Sequence, residues 1–134
     1  MTVLLRDERA IQSSEAVVAV RHSVRQRAVE LGFNLIDQTK IVTAASELAR
    51  NTLQHGGGGL VTIEGIEEAG RRGLRLSFED KGRGIADVEL AMRDGYSTAG
   101  GLGLGLSGAR RLSNEFYIRS MPGEGTQVTI VRWR

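Results

Sequence analysis

The sequence predicts an α/β two-layer sandwich, a mixed, mostly antiparallel sheet with helices packed on one face. Three observations predict it. Apolar residues recur three and four positions apart between Val17 and Leu31 and again between Ile41 and Leu53, the spacing of two amphipathic helices. Runs 60–67, 74–78, 115–120 and 126–133 alternate apolar and polar residues, the spacing of half-buried strands. Glycine-bearing segments 79–85 and 100–108 lie between the second and third of these runs, where a low backbone can approach a ligand closely. With 134 residues and 40% hydrophobic content the chain is expected to form one domain, 1–134, burying about two thirds of its unfolded surface.

Taken in order, residues 2–6 and 10–12 read as short strand segments around a charged turn. Ser13 or Ser14 caps the helix that follows, because a hydroxyl satisfies orphan N–H groups there. Its buried stripe is Val17, Val20, Val24, Ala28 and Leu31, and Gly32 supplies a left-handed stop. His22 falls on the polar side and reads as solvent-facing. Asp37 is the expected cap of the second helix, whose inward positions are Ile41, Ala44, Ala45, Leu48, Thr52 and Leu53 and which ends at glycines 56–59. Strand 60–67 returns through a turn over 68–73 into strand 74–78. A short helical piece at 88–92 and a helix over 103–112 precede strand 115–120, and a turn at 121–125 leads into the last strand. There Val128, Ile130 and the stem of Arg132 alternate with Thr129 and Val131, which suits a sheet covered on one face and partly on the other.

Composition narrows the function classes. The net charge is only +2 and basic residues are interspersed with acidic ones, so nucleic acid is not an expected partner. Arg110, Arg111, Arg119, Arg132 and Arg134, late in the chain, could serve a protein partner instead. The absence of cysteine removes disulfides and thiolate metal sites. No hydrophobic signal core and no apolar run of membrane-spanning length is present, so a cytoplasmic protein without a membrane partner is expected.

The chemistry is concentrated in three places. In the segment Gly100-Gly101-Leu102-Gly103-Leu104-Gly105-Leu106-Ser107-Gly108, leucines can anchor the chain while glycine N–H groups face a polyphosphate at a helix start. A linker of this length would carry Ser and Thr rather than leucines. Gly103-x-Gly105-x-x-Gly108 matches the dinucleotide fingerprint literally, but the polar, turn-rich segment 93–99 stands where that fingerprint needs a strand. No lysine follows Lys81, which excludes a Walker loop. Upstream, Asp80 ends a strand run and is followed by Gly82 and Gly84; its carboxylate can accept from an exocyclic amine such as that of adenine, or belong to an ordinary hairpin turn. Glu47 and Asn51 stand four apart on one face of the second helix, near Arg50. A carboxylate and a carboxamide there can take a proton and bind Mg²⁺, or form a solvated face.

Together the segments 46–51, 79–85 and 94–106 resemble the N-box and two glycine boxes of the GHKL ATPase superfamily, with the Bergerat ATP-binding fold. The lid segment from Asp94 to Leu106, the run Arg111-Leu112-x-x-Glu115-Phe116 and the ending from Gly123 through Trp133 resemble its small serine-kinase and anti-sigma-factor branch. That resemblance implies ATP and Mg²⁺ as cofactors. It makes Glu47 the general base and Asn51 the metal and nucleotide ligand. Asp80 would read the adenine amino group, with Gly82 and Gly84 shaping the pocket and Thr126 helping through water. Gly101, Leu102, Gly103, Leu104 and Gly105 would surround the phosphates. Gln54 replaces a lysine common in the superfamily, which leaves Arg50 or Lys81 as the phosphate contact, and Arg83 stands where proline is common. The activity implied is a serine/threonine protein kinase that phosphorylates a STAS-domain antagonist protein and then binds and activates a PP2C-type phosphatase. An anti-sigma factor holding a sigma subunit, or a noncatalytic ATP-dependent binding module, would share the fold.

Overall fold

The computed structural model of the chain describes residues 1–93 and 105–134. Its strands are Thr2–Ile11 (β1), Gly59–Glu68 (β2), Arg71–Asp80 (β3), Glu115–Met121 (β4) and Gly125–Trp133 (β5); its helices are Ser14–Glu30 (α1), Leu35–Gln54 (α2), Val88–Ala91 (α3) and Gly105–Arg111 (α4). The strands form one sheet in the order β1-β2-β3-β5-β4. The two-layer architecture is the expected one, but every strand pairing is antiparallel rather than mixed. β3 and β4 do run in the same direction. The last hairpin folds β5 back between them, so both contacts become antiparallel.

The helices pack on one face, where Ile41 and Leu48 of α2 meet a core that includes Ile63, Leu76 and Ile130 of the sheet, all at most 1% exposed. α1 begins at the Ser13 cap, whose hydroxyl accepts from the Ala16 N–H at 3.2 Å, and stops before Gly32 at φ +86°. Its inward stripe is the expected one, and His22 is exposed.

Three expectations change. β1 is one continuous strand, not two segments around a turn, with a register shift between Val3 and Leu5. On an edge strand the charged side chains of residues 6–9 project without interrupting the backbone ladder. Asp7 takes Arg27 of α1 at 2.7 Å, and the hydrogen bonds to Asp7 first and Glu30 second push that guanidinium above its ordinary pKa. α2 is capped by Asn34, whose Oδ1 accepts from the Asp37 N–H at 2.8 Å; Asp37 lies inside the first turn and its carboxylate receives Arg132 Nη2 at 2.7 Å. The β2–β3 turn shrinks from six residues to Ala69 and Gly70, both at positive φ (52° and 79°), the two-residue geometry whose twist matches the strands it joins. Gly73, which reads as part of that turn, is paired within β3 opposite Trp133. Within the described residues α4 covers Gly105–Arg111; Gly103 and Leu104, where the helix is expected to begin, lie outside them.

Candidate functional site

Where β3 ends and β5 begins, α2 crosses the sheet and encloses a cavity of about 630 Å³. Small-molecule sites usually occupy roughly 300–1,000 Å³. Part of its wall is apolar, formed by Phe78 and Val128, a register pair on β3 and β5, with Leu48 of α2, Leu106 of α4, Ile85 and Leu90. Glu47, Arg50 and Asn51 enter from α2, Asp80 from β3 and Thr126 from β5. Helical spacing places the first three on neighbouring positions of one face, and the sheet register sets Asp80 directly opposite Thr126.

Asp80, Thr126, Glu47 and Arg50 are each held by a neighbouring group. The Gly82 N–H donates to Asp80 Oδ1 at 2.9 Å, which orients the carboxylate and leaves its second oxygen to accept from another donor. Gly56, just past α2, lies against the same side chain: a Cβ added there would come within 2.6 Å of Asp80 Oδ2, and one added to Gly82 within 2.7 Å of the Gly56 Cα. Two loops therefore meet on Asp80 at backbone distance. Gly84 sits at φ +74° with its α-carbon against the Met121 carbonyl, so a side chain there would be strained and would clash. The Thr126 hydroxyl lies 2.7 Å from Ser120 Oγ, which accepts from the Ile85 N–H at 2.7 Å. Ser120 thus ties the segment after β3 to the sheet and fixes Thr126. Glu47 is 5% exposed, and its Oε1 receives Arg50 Nη1 at 2.9 Å.

All of these site residues lie in a stretch that matches a known family model. Residues 36–134 fit that of the histidine kinase-, DNA gyrase B- and HSP90-like ATPases. The chain belongs to this ATPase family. It is 47% identical over 117 residues to serine/threonine-protein kinase RsbT of Bacillus subtilis (strain 168), across 87% of this chain and 88% of that protein, and so falls in the RsbT-type branch. It is also 28% identical over 112 residues to the anti-sigma F factor of Thermoanaerobacter sp. (strain X514), across 79% of this chain and 77% of that one. Among solved structures, the histidine kinase domain of the blue-light activated histidine kinase from Erythrobacter litoralis EL346 shares the fold, with TM-score 0.54 and 21% identity over 88% of this chain and 59% of the other.

In this ATPase-family chain the tertiary structure brings Glu47, Asn51, Asp80, Gly84, Gly105 and Thr126 to a single cavity. Gly82 acts from behind, through Asp80. Gly101, Leu102, Gly103 and Leu104 lie outside the described residues, as does the lid segment from Asp94. Of the two candidate phosphate contacts, Arg50 lines the cavity, whereas Lys81 lines an adjoining depression, with Arg119 and Glu124, that shares Asp80 and Thr126 with it. Gln54 and His55 also line the cavity. Among the described residues no three His, Cys, Asp or Glu side chains converge as a metal cage. Sequence reading does not find Gly56 or Ser120: one looks like a helix stop and the other like a strand residue, and their contacts are to segments distant in sequence.

Proposed function

We propose that the chain is a cytoplasmic serine/threonine-protein kinase of a partner-switching module, a single domain that transfers the terminal phosphoryl group of Mg·ATP to a serine of a STAS-domain antagonist and then binds and activates a PP2C-type phosphatase. The observation that carries the transfer reading is the buried Glu47 carboxylate in the same cavity as Asp80 and Asn51. Family membership and the RsbT likeness support ATP and a protein serine as the two substrates.

In this reading Asp80, oriented by the Gly82 N–H, accepts the adenine amino group against the apolar wall of Phe78 and Val128, while Thr126 offers its hydroxyl through water. Gly84 keeps the pocket floor low. Asn51 would supply a carbonyl oxygen to Mg²⁺, a cation commonly bound by one or two protein oxygens together with substrate phosphates. Gly101, Gly103 and Gly105, with the Leu102 and Leu104 backbone between them, would cradle the phosphates. The incoming serine hydroxyl gives its proton to Glu47 as its oxygen bonds to the terminal phosphorus and the bond to ADP breaks. Phosphoryl transfer asks mainly for positioning and charge neutralisation, the latter of which Mg²⁺ held by Asn51 would supply.

The test is phosphotransfer. Incubation with γ-labelled Mg·ATP and a purified STAS-domain protein from the same genome is expected to leave acid-stable label on serine. ATP binding without labelling would replace the kinase by a binding module or, as the anti-sigma F factor likeness would favour, by a protein that holds a sigma subunit. The pocket has its own check. Gly56→Ala places a methyl group on Asp80 and is expected to weaken ATP binding by about tenfold or more, since roughly 1.4 kcal/mol of lost hydrogen bonding suffices. Calorimetric titration with ATP measures it, and an unchanged Kd would dissociate Gly56 from the pocket.

A further inference from the structure

We infer that Arg50 is a positioning residue for Glu47, holding the carboxylate in the orientation from which it takes the substrate proton; the inference rests on the kinase reading above. Glu47 is 5% exposed, and a carboxylate that deep is unstable unless a charge or hydrogen-bond donor compensates it. Arg50, three residues further along α2, supplies both at 2.9 Å. The i,i+3 spacing on α2 puts the two side chains on neighbouring positions of one face, within reach of each other. Arg50 itself is 34% exposed at its side chain, so its guanidinium spans from the buried carboxylate to the cavity rim.

The recorded bond joins one nitrogen to one oxygen, Nη1 to Oε1. Proton acceptance then falls to Oε2, whose direction is set because Oε1 is tethered. Without the tether the carboxylate could rotate about its terminal torsion, which has broad, shallow preferences, and would lose the charge that offsets its burial. A lysine could restore the charge but not the planar geometry of the guanidinium. The same contact argues against Arg50 as the substitute for the lysine that Gln54 replaces, because reaching a phosphate would require it to abandon a buried carboxylate.

The test compares the unaltered chain with Arg50→Gln, Arg50→Lys, Glu47→Gln and the double variant Glu47→Gln/Arg50→Gln, using γ-labelled Mg·ATP and the purified STAS-domain protein. Arg50→Gln is expected to lower kcat by about 10- to 100-fold with the ATP Kd within about threefold, and Arg50→Lys to recover part of the loss. In the Glu47→Gln background the second substitution is expected to change transfer by less than about threefold, since nothing remains to position. A role in phosphate binding would instead raise the ATP Kd of Arg50→Gln about tenfold and persist in the Glu47→Gln background; that result overturns the inference, as does an Arg50→Gln variant of undiminished kcat. A merely structural role would lower the melting temperature and ATP binding of Arg50→Gln together, without rescue by lysine, and would overturn it as well. Failure of the unaltered chain to label serine would refute the kinase function and the positioning role with it.

Discussion

Replacing Asp80 by asparagine is expected to weaken ATP binding by about 100-fold or more. The carboxylate has two accepting oxygens, and the Gly82 N–H already occupies Oδ1 at 2.9 Å. Asparagine has one acceptor. If it keeps the Gly82 bond, its NH₂ group opposes the adenine amino group, donor against donor; if it turns over, the half-buried Gly82 N–H is left facing the NH₂. Either arrangement strands a polar group in a cavity walled by Phe78 and Val128. Gly56 packs against this side chain and the Gly82 N–H holds it, so it has little room to find a third position. The fold should be untouched, because asparagine is nearly isosteric with aspartate and lies at a strand end. Calorimetric titration with Mg·ATP, alongside thermal melting of the free chain, separates the two effects. Equal affinities for D80N and the unaltered chain would remove Asp80 from nucleotide recognition.

Glu47→Gln is expected to do the reverse, keeping the ATP Kd within about threefold while serine phosphorylation falls roughly 10²- to 10⁴-fold, the usual contribution of a positioned general base. Glutamine preserves the volume of the buried side chain and offers Arg50 Nη1 an oxygen to bond, so α2 and its packing persist. What it lacks is an oxygen basic enough to take the serine proton. Single-turnover labelling with γ-labelled Mg·ATP reads the chemical step apart from binding. A variant that phosphorylates at the original rate would strip Glu47 of the role and with it the proton path.

Much of the site is legible before folding because it lies on local patterns. Glu47 and Asn51 share a face by helical periodicity, and Asp80 ends an alternating run just before two glycines. Those are short-range consequences of backbone geometry. The cap of α2 is not decided so locally. Asn34 and Asp37 are both good N-cap residues, three positions apart, and Arg132, 95 residues further on, takes the Asp37 carboxylate into an ion pair that also includes a bond to the Leu112 carbonyl. Similarly, the charged residues of β1 look like a turn until β2 pairs alongside them and shows that an edge strand can carry its charges outward. Gly73 resembles a turn residue until β5 pairs with it.

The sequence by itself determined the kind of elements, their order and the chemical groups available to the site, since periodicity, caps and glycine placement act within a few residues. It also determined that a carboxylate and a carboxamide would share one helical face. Only the tertiary structure decided which segments meet. It inserted β5 between β3 and β4, set Thr126 opposite Asp80 and bound Ser120 to both Thr126 and the segment at Ile85. It also pressed Gly56 onto Asp80 and buried the Glu47 side chain. Those contacts follow from close packing of surfaces far apart in the chain, where one added methyl group decides whether two backbones can approach.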